Sequence, residues 1–180
     1  MEITKTKFPE IKRGNLETLQ INIGYKCNQS CNHCHVNAGP NRTEMMSNDI
    51  IKLIPKVIKL NNIKLLDITG GAPEIHPKFK HLVKEVRSLN VEVMDRCNLT
   101  ILTEPGHERL ASFLASNKVI LTASLPCYLE ENVDKQRGKG VFEKSISALR
   151  KLNSYGYGIK DTGLILNLVY NPSGPQLPPS

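Results

Sequence analysis

The sequence has no apolar run long enough to cross a membrane. Its strongest hydrophobic stretches, such as GLILNLVY over 163–170, fall far short of the roughly 20 residues a spanning helix needs. The opening segment, MEITKTKFPEIKRG, lacks an apolar core, so no secretory signal is expected and the cytoplasm is the expected compartment. Aromatic residues make up only 5%, and no basic run is interleaved with them. The net charge of +7 therefore reads as a solvated, lysine-rich surface, and no nucleic-acid partner is expected. No internal repeat is present. A disulfide framework is missing too: the five cysteines are odd in number, and three of them fall within eight residues. In a cytosolic chain that clustering points to metal or catalytic use.

What is present suits one globular domain. The 180 residues, 39% hydrophobic and 23% charged, are enough for a sizeable core. LQINIGY alternates, with Leu19, Ile21 and Ile23 on one side and Gln20 and Asn22 on the other, as a strand does. Ser47 is a candidate cap for a helix from Asn48, with Ile50, Leu53, Ile54, Val57 and Ile58 at helical spacing. Pro55 inside it predicts a kink or a late start. IKLLDIT reads as a buried parallel strand. A second helix follows Pro77, with Phe79, Leu82, Val83 and Val86 on one face. VEVMDR is a third strand, CNLTILTEPG a loop, and Leu110, Phe113 and Leu114 mark a third helix. KVILTASL is a fourth strand, PCYLEENVDKQRGKG a long polar loop, VFEKSISALRKLNSYG a fourth helix and GLILNLVY a fifth strand. Strand and helix in alternation predict an α/β fold with parallel strands, a (β/α) barrel in part. Sites in such folds lie at the carboxyl ends of the strands. The residues 1–15 read as an extension, 16–170 as the core domain, and the proline-rich 171–180 as a linker.

The cysteine loop, YKCNQSCNHCH, directly follows the first strand and sets Cys27, Cys31 and Cys34 in a C-x3-C-x2-C spacing. Two centres fit three thiolates on so short a loop. With His33 or His35 they complete a closed Cys3His zinc site. Alternatively they hold three corners of a [4Fe–4S] cluster and leave one iron open. The spacing resembles that of the radical S-adenosylmethionine (SAM) superfamily. That resemblance implies that the open iron chelates the amino and carboxylate groups of SAM, and that reductive cleavage of SAM releases a 5′-deoxyadenosyl radical.

The other strand ends carry the remaining candidates. Gly70 and Gly71 read either as a tight turn or as a place where a ligand approaches the backbone. The resemblance implies that they, with Glu74 displaced by two residues from the usual Gly-Gly-Glu pattern, bind the amino group of SAM. Ser124 and Arg137 are candidates for its ribose hydroxyls and carboxylate, against the plain readings of a capping serine and a surface arginine. His33 stands where the superfamily has an aromatic residue near the adenine, and His35 is expected to brace the loop. Asn98 and Asn167 are further polar candidates. Cys97 and Cys127 read as small buried hydrophobes or as thiols for a soft centre.

KCNQSCNHCHVNAGPNRTE, LDITGGAPE, DRCNLTIL, SLPCYLEENVDKQRGKGVF and LNLVYNP together resemble the arsenosugar-biosynthesis radical SAM proteins, from about Leu16 onward. The resemblance implies transfer of the 5′-deoxyadenosyl group to a methylated trivalent arsenic species, with an electron-donor protein as partner. Cys97 or Cys127 would then be the arsenic thiolate. Family members continue into a further cysteine-bearing domain, so a barrel truncated after about the fifth strand is expected here. Two other readings stay open: hydrogen abstraction from a peptide or small metabolite, and a zinc-binding interaction module.

Overall fold

Period-two alternation governs how this chain is assembled, and it makes a sheet with two unlike faces. The computed structural model describes residues 9–32 and 34–171. Five strands, β1 (Thr18–Asn22), β2 (Leu65–Thr69), β3 (Glu92–Asp95), β4 (Ile120–Ser124) and β5 (Leu166–Val169), pair in parallel and in chain order. Parallel neighbours require crossovers. Helices α1 (Asn48–Leu60), α2 (Phe79–Ser88) and α3 (Leu110–Ser116) supply the first three, and α4 (Glu130–Arg137) with α5 (Val141–Ser154) the fourth.

The strand register puts Leu66, Ile68, Val93, Leu121 and Ala123 on one face, within the main hydrophobic core. Phe79, Leu82, Val83 and Val86 of α2 are fully buried in that core, as their spacing predicts. Each contributes about 1.5–3 kcal/mol by leaving water. The opposite face carries Gln20, Asp67, Thr122, Ser124 and Asn167. IKLLDIT is therefore not apolar on both sides. Asp67 falls on the second face, where Gln20 and Arg96 bond to it.

Helix α1 begins where expected, with the Ser47 hydroxyl accepting from the Ile50 N–H. It runs through Pro55 rather than starting after it. Its buried face is Ile51, Ile54, Pro55 and Ile58, while Ile50, Leu53 and Val57 are exposed. The expected stripe was thus displaced around the helix. Two segments read as loops are helical. Leu99–Thr103 is a 3-10 turn with Leu99, Ile101 and Leu102 buried. Glu130–Arg137 is α4, with Val133 its only buried aliphatic. That helix has acidic residues in its first turn and basic ones in its last, complementing its dipole.

No described helix is long and apolar enough to cross a membrane. Residues 9–15, the described part of the expected extension, are exposed and irregular. The linker expected over 171–180 lies, but for Asn171, outside the described residues, as do residues 1–8.

Candidate active site

The backbone does not separate when β1 and β2 end. The Ile23 N–H bonds to Thr69 O, Gly71 N–H to Gly24 O (2.9 Å) and Ala72 N–H to Lys26 O (2.9 Å). The cysteine loop is thereby laid along the Gly-Gly turn. Here lies the first reason for the glycines. A Cβ on Gly70 would stand 2.6 Å from Gly24 O, and one on Gly71 would stand 2.5 Å from Lys26 O and 2.9 Å from the Ala38 Cβ. Both positions are too close to backbone for any side chain. Both glycines also line a cavity, so the approach of a ligand to their backbone remains available.

That cavity, about 240 Å³, gathers Cys27, Cys31 and Cys34 with Gly70, Gly71, Ser124 and Arg137. Four strand ends, with Arg96 and Asn98 following β3, and the end of α4 therefore converge on one space. Its wall contains two guanidinium groups, Arg96 and Arg137, and no carboxylate, which suits an anionic occupant. The Cys27 thiol is buried and accepts from the Gln29 N–H (3.4 Å) and the Asn98 amide (3.5 Å). Burial lifts its pKa above the ordinary thiol value by more than these bonds lower it. Cys34 Sγ accepts from Ala38 N–H at 3.2 Å.

The three thiols are spread around the cavity rather than closed on a point. They do not all lie within 4.8 Å of one another. A tetrahedral ion at 2.3 Å from each sulfur requires separations of about 3.8 Å. A cubane takes one thiolate on each of three irons, and N–H donors to the Cys27 and Cys34 sulfurs favour the anionic ligand form. The residues present fit a [4Fe–4S] cluster. They also fit SAM beside it, with backbone at the glycines, a serine at the β4 end and a guanidinium facing the same space.

Arg137 is no surface arginine. It is buried; Nη1 donates to the Ser124 carbonyl and Nη2 to Asn98 Oδ1 (2.8 Å). Asn98 is equally buried and is the junction of the wall. Its amide donates to Asn28 Oδ1 (2.7 Å) as well as to Cys27, and its oxygen also accepts from the Thr100 hydroxyl. Arg96, which sequence reasoning missed, binds Asp67 through Nε (2.9 Å) and Nη2 (2.8 Å). Asp67 is desolvated, yet Arg96 and Gln20 hold its pKa below the ordinary value. The signal for Arg96 was its parity: it alternates with Asp95 and Cys97 at the end of β3.

Other expected residues lie elsewhere. Glu74 does not line the cavity. It sits in the 3-10 turn Pro73–Ile75, buried beside Asp95 and Cys97. Ala72–Pro73 carries the chain over the edge of the sheet, so a carboxylate two residues late faces the core. Cys97 has no exposure and shares that pocket in the core, because its parity is that of Asp95, not of Arg96 and Asn98. Cys127 is also outside the cavity lining. Its pKa is raised by burial but lowered further by hydrogen bonds from Asn132, the Leu129 and Tyr128 N–H groups and Tyr170, so the net is below the ordinary value. His35 is exposed at the cavity, Asn167 is exposed on β5 away from it, and His33 lies outside the described residues.

Comparison with known proteins agrees with this geometry. The family model described as "Radical SAM superfamily" matches residues 21–170. The mycofactocin maturase MftC of Mycobacterium tuberculosis (strain H37Rv) is 30% identical over 139 residues, covering 77% of this chain and 35% of that protein. The subtilosin biosynthesis protein AlbA of Bacillus subtilis is 25% identical over 139 residues, covering 77% of this chain and 31% of that protein. The chain thus spans about a third of the length of these curated relatives. The crystal structure of Streptococcus suis SuiB bound to S-adenosylmethionine superposes with a TM-score of 0.66 at 15% identity, over 86% of this chain and 33% of that one. A cysteine loop docked on a Gly-Gly turn at the carboxyl edge of a parallel sheet, matched by the family model over most of its length, places this chain in the radical SAM superfamily.

Proposed function

We propose that this chain is the core of an enzyme that cleaves SAM reductively and delivers its 5′-deoxyadenosyl group to a methylated trivalent arsenic species. The cofactors are a [4Fe–4S] cluster and SAM. Cys27, Cys31 and Cys34 hold the cluster. When bound, the pair would supply a carbon-centred radical from SAM, with methionine leaving, upon arrival of one electron from a donor protein; its addition to arsenic(III) is completed by return of one electron to the redox partner and loss of one proton, which leaves arsenic(V). The chain's own residues bind and orient. The backbone of Gly70 and Gly71 offers polar groups at the cavity wall, Ser124 reaches a ribose hydroxyl, and Arg137 faces the carboxylate. Asn98 fixes Arg137 and Cys27 in one frame. The observation that carries this reading is the convergence of three thiols, two glycines and a buried guanidinium on one cavity.

The arsenic acceptor rests on the combined sequence motifs; Cys127, buried at 3% exposure and outside the cavity, enters only through its hydrogen bonds. Its hydrogen bonds favour the thiolate, which is the form that binds a soft centre. Cys97 is sealed in the core and takes no acceptor. The acceptor test is anaerobic turnover of the reconstituted chain with SAM, a reductant and dimethylarsinous acid, with products resolved by mass spectrometry. A product in which arsenic carries the adenosyl group is expected. Free 5′-deoxyadenosine alone refutes the acceptor while leaving SAM cleavage intact.

A second reading, hydrogen abstraction from a peptide, draws on other observations. One solved structure that this chain resembles, with a TM-score of 0.65, is SuiB bound to its precursor peptide SuiA. The second face of the sheet is polar, with Asn167 exposed at its edge strand. Deuterium transfer from a labelled peptide into 5′-deoxyadenosine distinguishes it.

A further inference from the structure

Glu74, Asp95 and Cys97 come together on the helix-facing side of the sheet, away from the cavity. One ligand atom from each lies within 4.8 Å of the others, and all three residues are buried, at 5%, 0% and 0% exposure. Of the described residues, the two carboxyls face each other and the Cys97 thiol and nothing else: Oε1 and Oε2 of Glu74 and Oδ1 and Oδ2 of Asp95 are out of solvent, with no donor in good hydrogen-bond geometry from outside the group. Among the described residues no lysine, arginine or histidine nitrogen reaches either within 4.0 Å; the five ion pairs all lie elsewhere. Arg137, the nearby guanidinium, is engaged by the Ser124 carbonyl and Asn98. Buried carboxylates without a donor or a cation are among the costliest arrangements in a protein interior, and an ion is one of the few remedies.

We propose that these three residues bind a divalent cation of the zinc class. The donor set selects it. One thiolate disfavours magnesium and calcium, while a thiolate with two carboxylates suits a borderline ion. Four carboxylate oxygens and one sulfur exceed the four donors a tetrahedral ion requires. The two charges of the metal offset two of the three ionised ligands, the desolvation of each is met by a direct bond, and the remaining negative charge is eased by the field of the nearby Arg137 guanidinium. The ion ties the Pro73–Ile75 turn to the end of β3. It therefore anchors the chain that directly follows the Gly-Gly turn, against which the cysteine loop rests. Because the site has no opening, it fills as the chain folds and empties only when the chain opens.

The test separates this ion from cluster iron. In the chain carrying C27A, C31A and C34A, about one equivalent of zinc survives dialysis against a chelator. Cys97→Ala and Asp95→Asn each lower that to under about a tenth of an equivalent. Cobalt(II) loaded in place of zinc gives a thiolate-to-cobalt charge-transfer band that persists in Cys127→Ala. Should the Cys97 and Asp95 variants fail to fold, the cobalt spectrum of the folded chain still decides. A folded chain that retains no zinc and shows no such band overturns the proposal. So does a carbonyl stretch of a protonated buried carboxyl that disappears in Asp95→Asn, since a shared proton then replaces the metal.

Discussion

Replacing Asn98 by aspartate changes one atom type at the junction of the site, and its consequences follow from four distances. Asn98 Oδ1 accepts from Arg137 Nη2 at 2.8 Å and Thr100 Oγ1 at 3.3 Å, while Nδ2 donates to Asn28 Oδ1 at 2.7 Å and to Cys27 Sγ at 3.5 Å. Aspartate keeps both acceptor functions and gives Arg137 a charged partner, and the donation it loses to Asn28 Oδ1 is replaced when the Asn28 amide turns its N–H toward the carboxylate, so the fold tolerates it. It removes the N–H donor to Cys27 and sets a negative charge beside a sulfur that bears cluster charge. Reducing a [4Fe–4S] cluster adds an electron, and lost hydrogen bonds and added negative charge both oppose it. The expected result is a more negative midpoint potential in EPR-monitored redox titration, with thermal stability near that of the parent. Asn98→Ala separates the two effects. It strands the buried Nη2 of Arg137, which costs about 1.5–3 kcal/mol for a charge-assisted bond, with about 1 kcal/mol more for the amide contacts. Urea denaturation should thus lose about 2–4 kcal/mol. A potential for Asn98→Asp at or above the parent value refutes the assigned contact with Cys27. A loss under about 0.5 kcal/mol in Asn98→Ala refutes the hub itself.

Gly71→Ala forces a methyl to within 2.5 Å of Lys26 O. It should cost about 1–3 kcal/mol as an overpacking change and lower the iron retained after reconstitution, read by iron analysis. Tyr157 is fully buried and its hydroxyl donates to Val119 O at 2.7 Å, so Tyr157→Phe leaves that carbonyl without its donor. A loss of about 1–2 kcal/mol in the unfolding free energy is expected. The folded-state pKa of Asp67 lies below its unfolded value through Arg96 and Gln20. Its stabilisation is full above an unfolded pKa of about 3.9 and is lost as pH falls through the lower folded value. Asp67→Asn should therefore flatten the acid limb of a stability–pH curve and leave its alkaline limb unchanged.

Strand and helix positions were legible wherever hydrophobic periodicity was strong. LQINIGY and the Phe79–Val86 stripe were read correctly because each buries one side of one element. Helix α4 was not legible, since only Val133 among its eight residues is a buried aliphatic and its stability comes from charge placement instead. That three cysteines share one loop after the first strand could be read from spacing alone, because their placement needs no tertiary information. The Glu74 and Cys97 roles did need it: spacing places a residue near a strand end, but only the parity of the strand and the path of the next turn decide which side of the sheet receives it. The glycines show the same boundary. The sequence says that a side chain is absent, whereas the structure says that the backbone of Gly24 and Lys26 takes the room.

The docking of the cysteine loop has a consequence for the order of assembly. The loop is joined to partners distant along the chain: Asn32 N–H bonds to Gln136 O, its side chain to Lys135 O, and the Asn28 amide to the Thr100 hydroxyl. Closing contacts across such separations is slow, because the intervening chain must be ordered first. The loop emerges early in synthesis, yet its last contacts wait for the residues at the end of α4. During that interval its thiols are free to meet oxidants or stray metal ions. Iron delivery that follows completion of α4 should give a higher yield of intact cluster than delivery to the nascent chain.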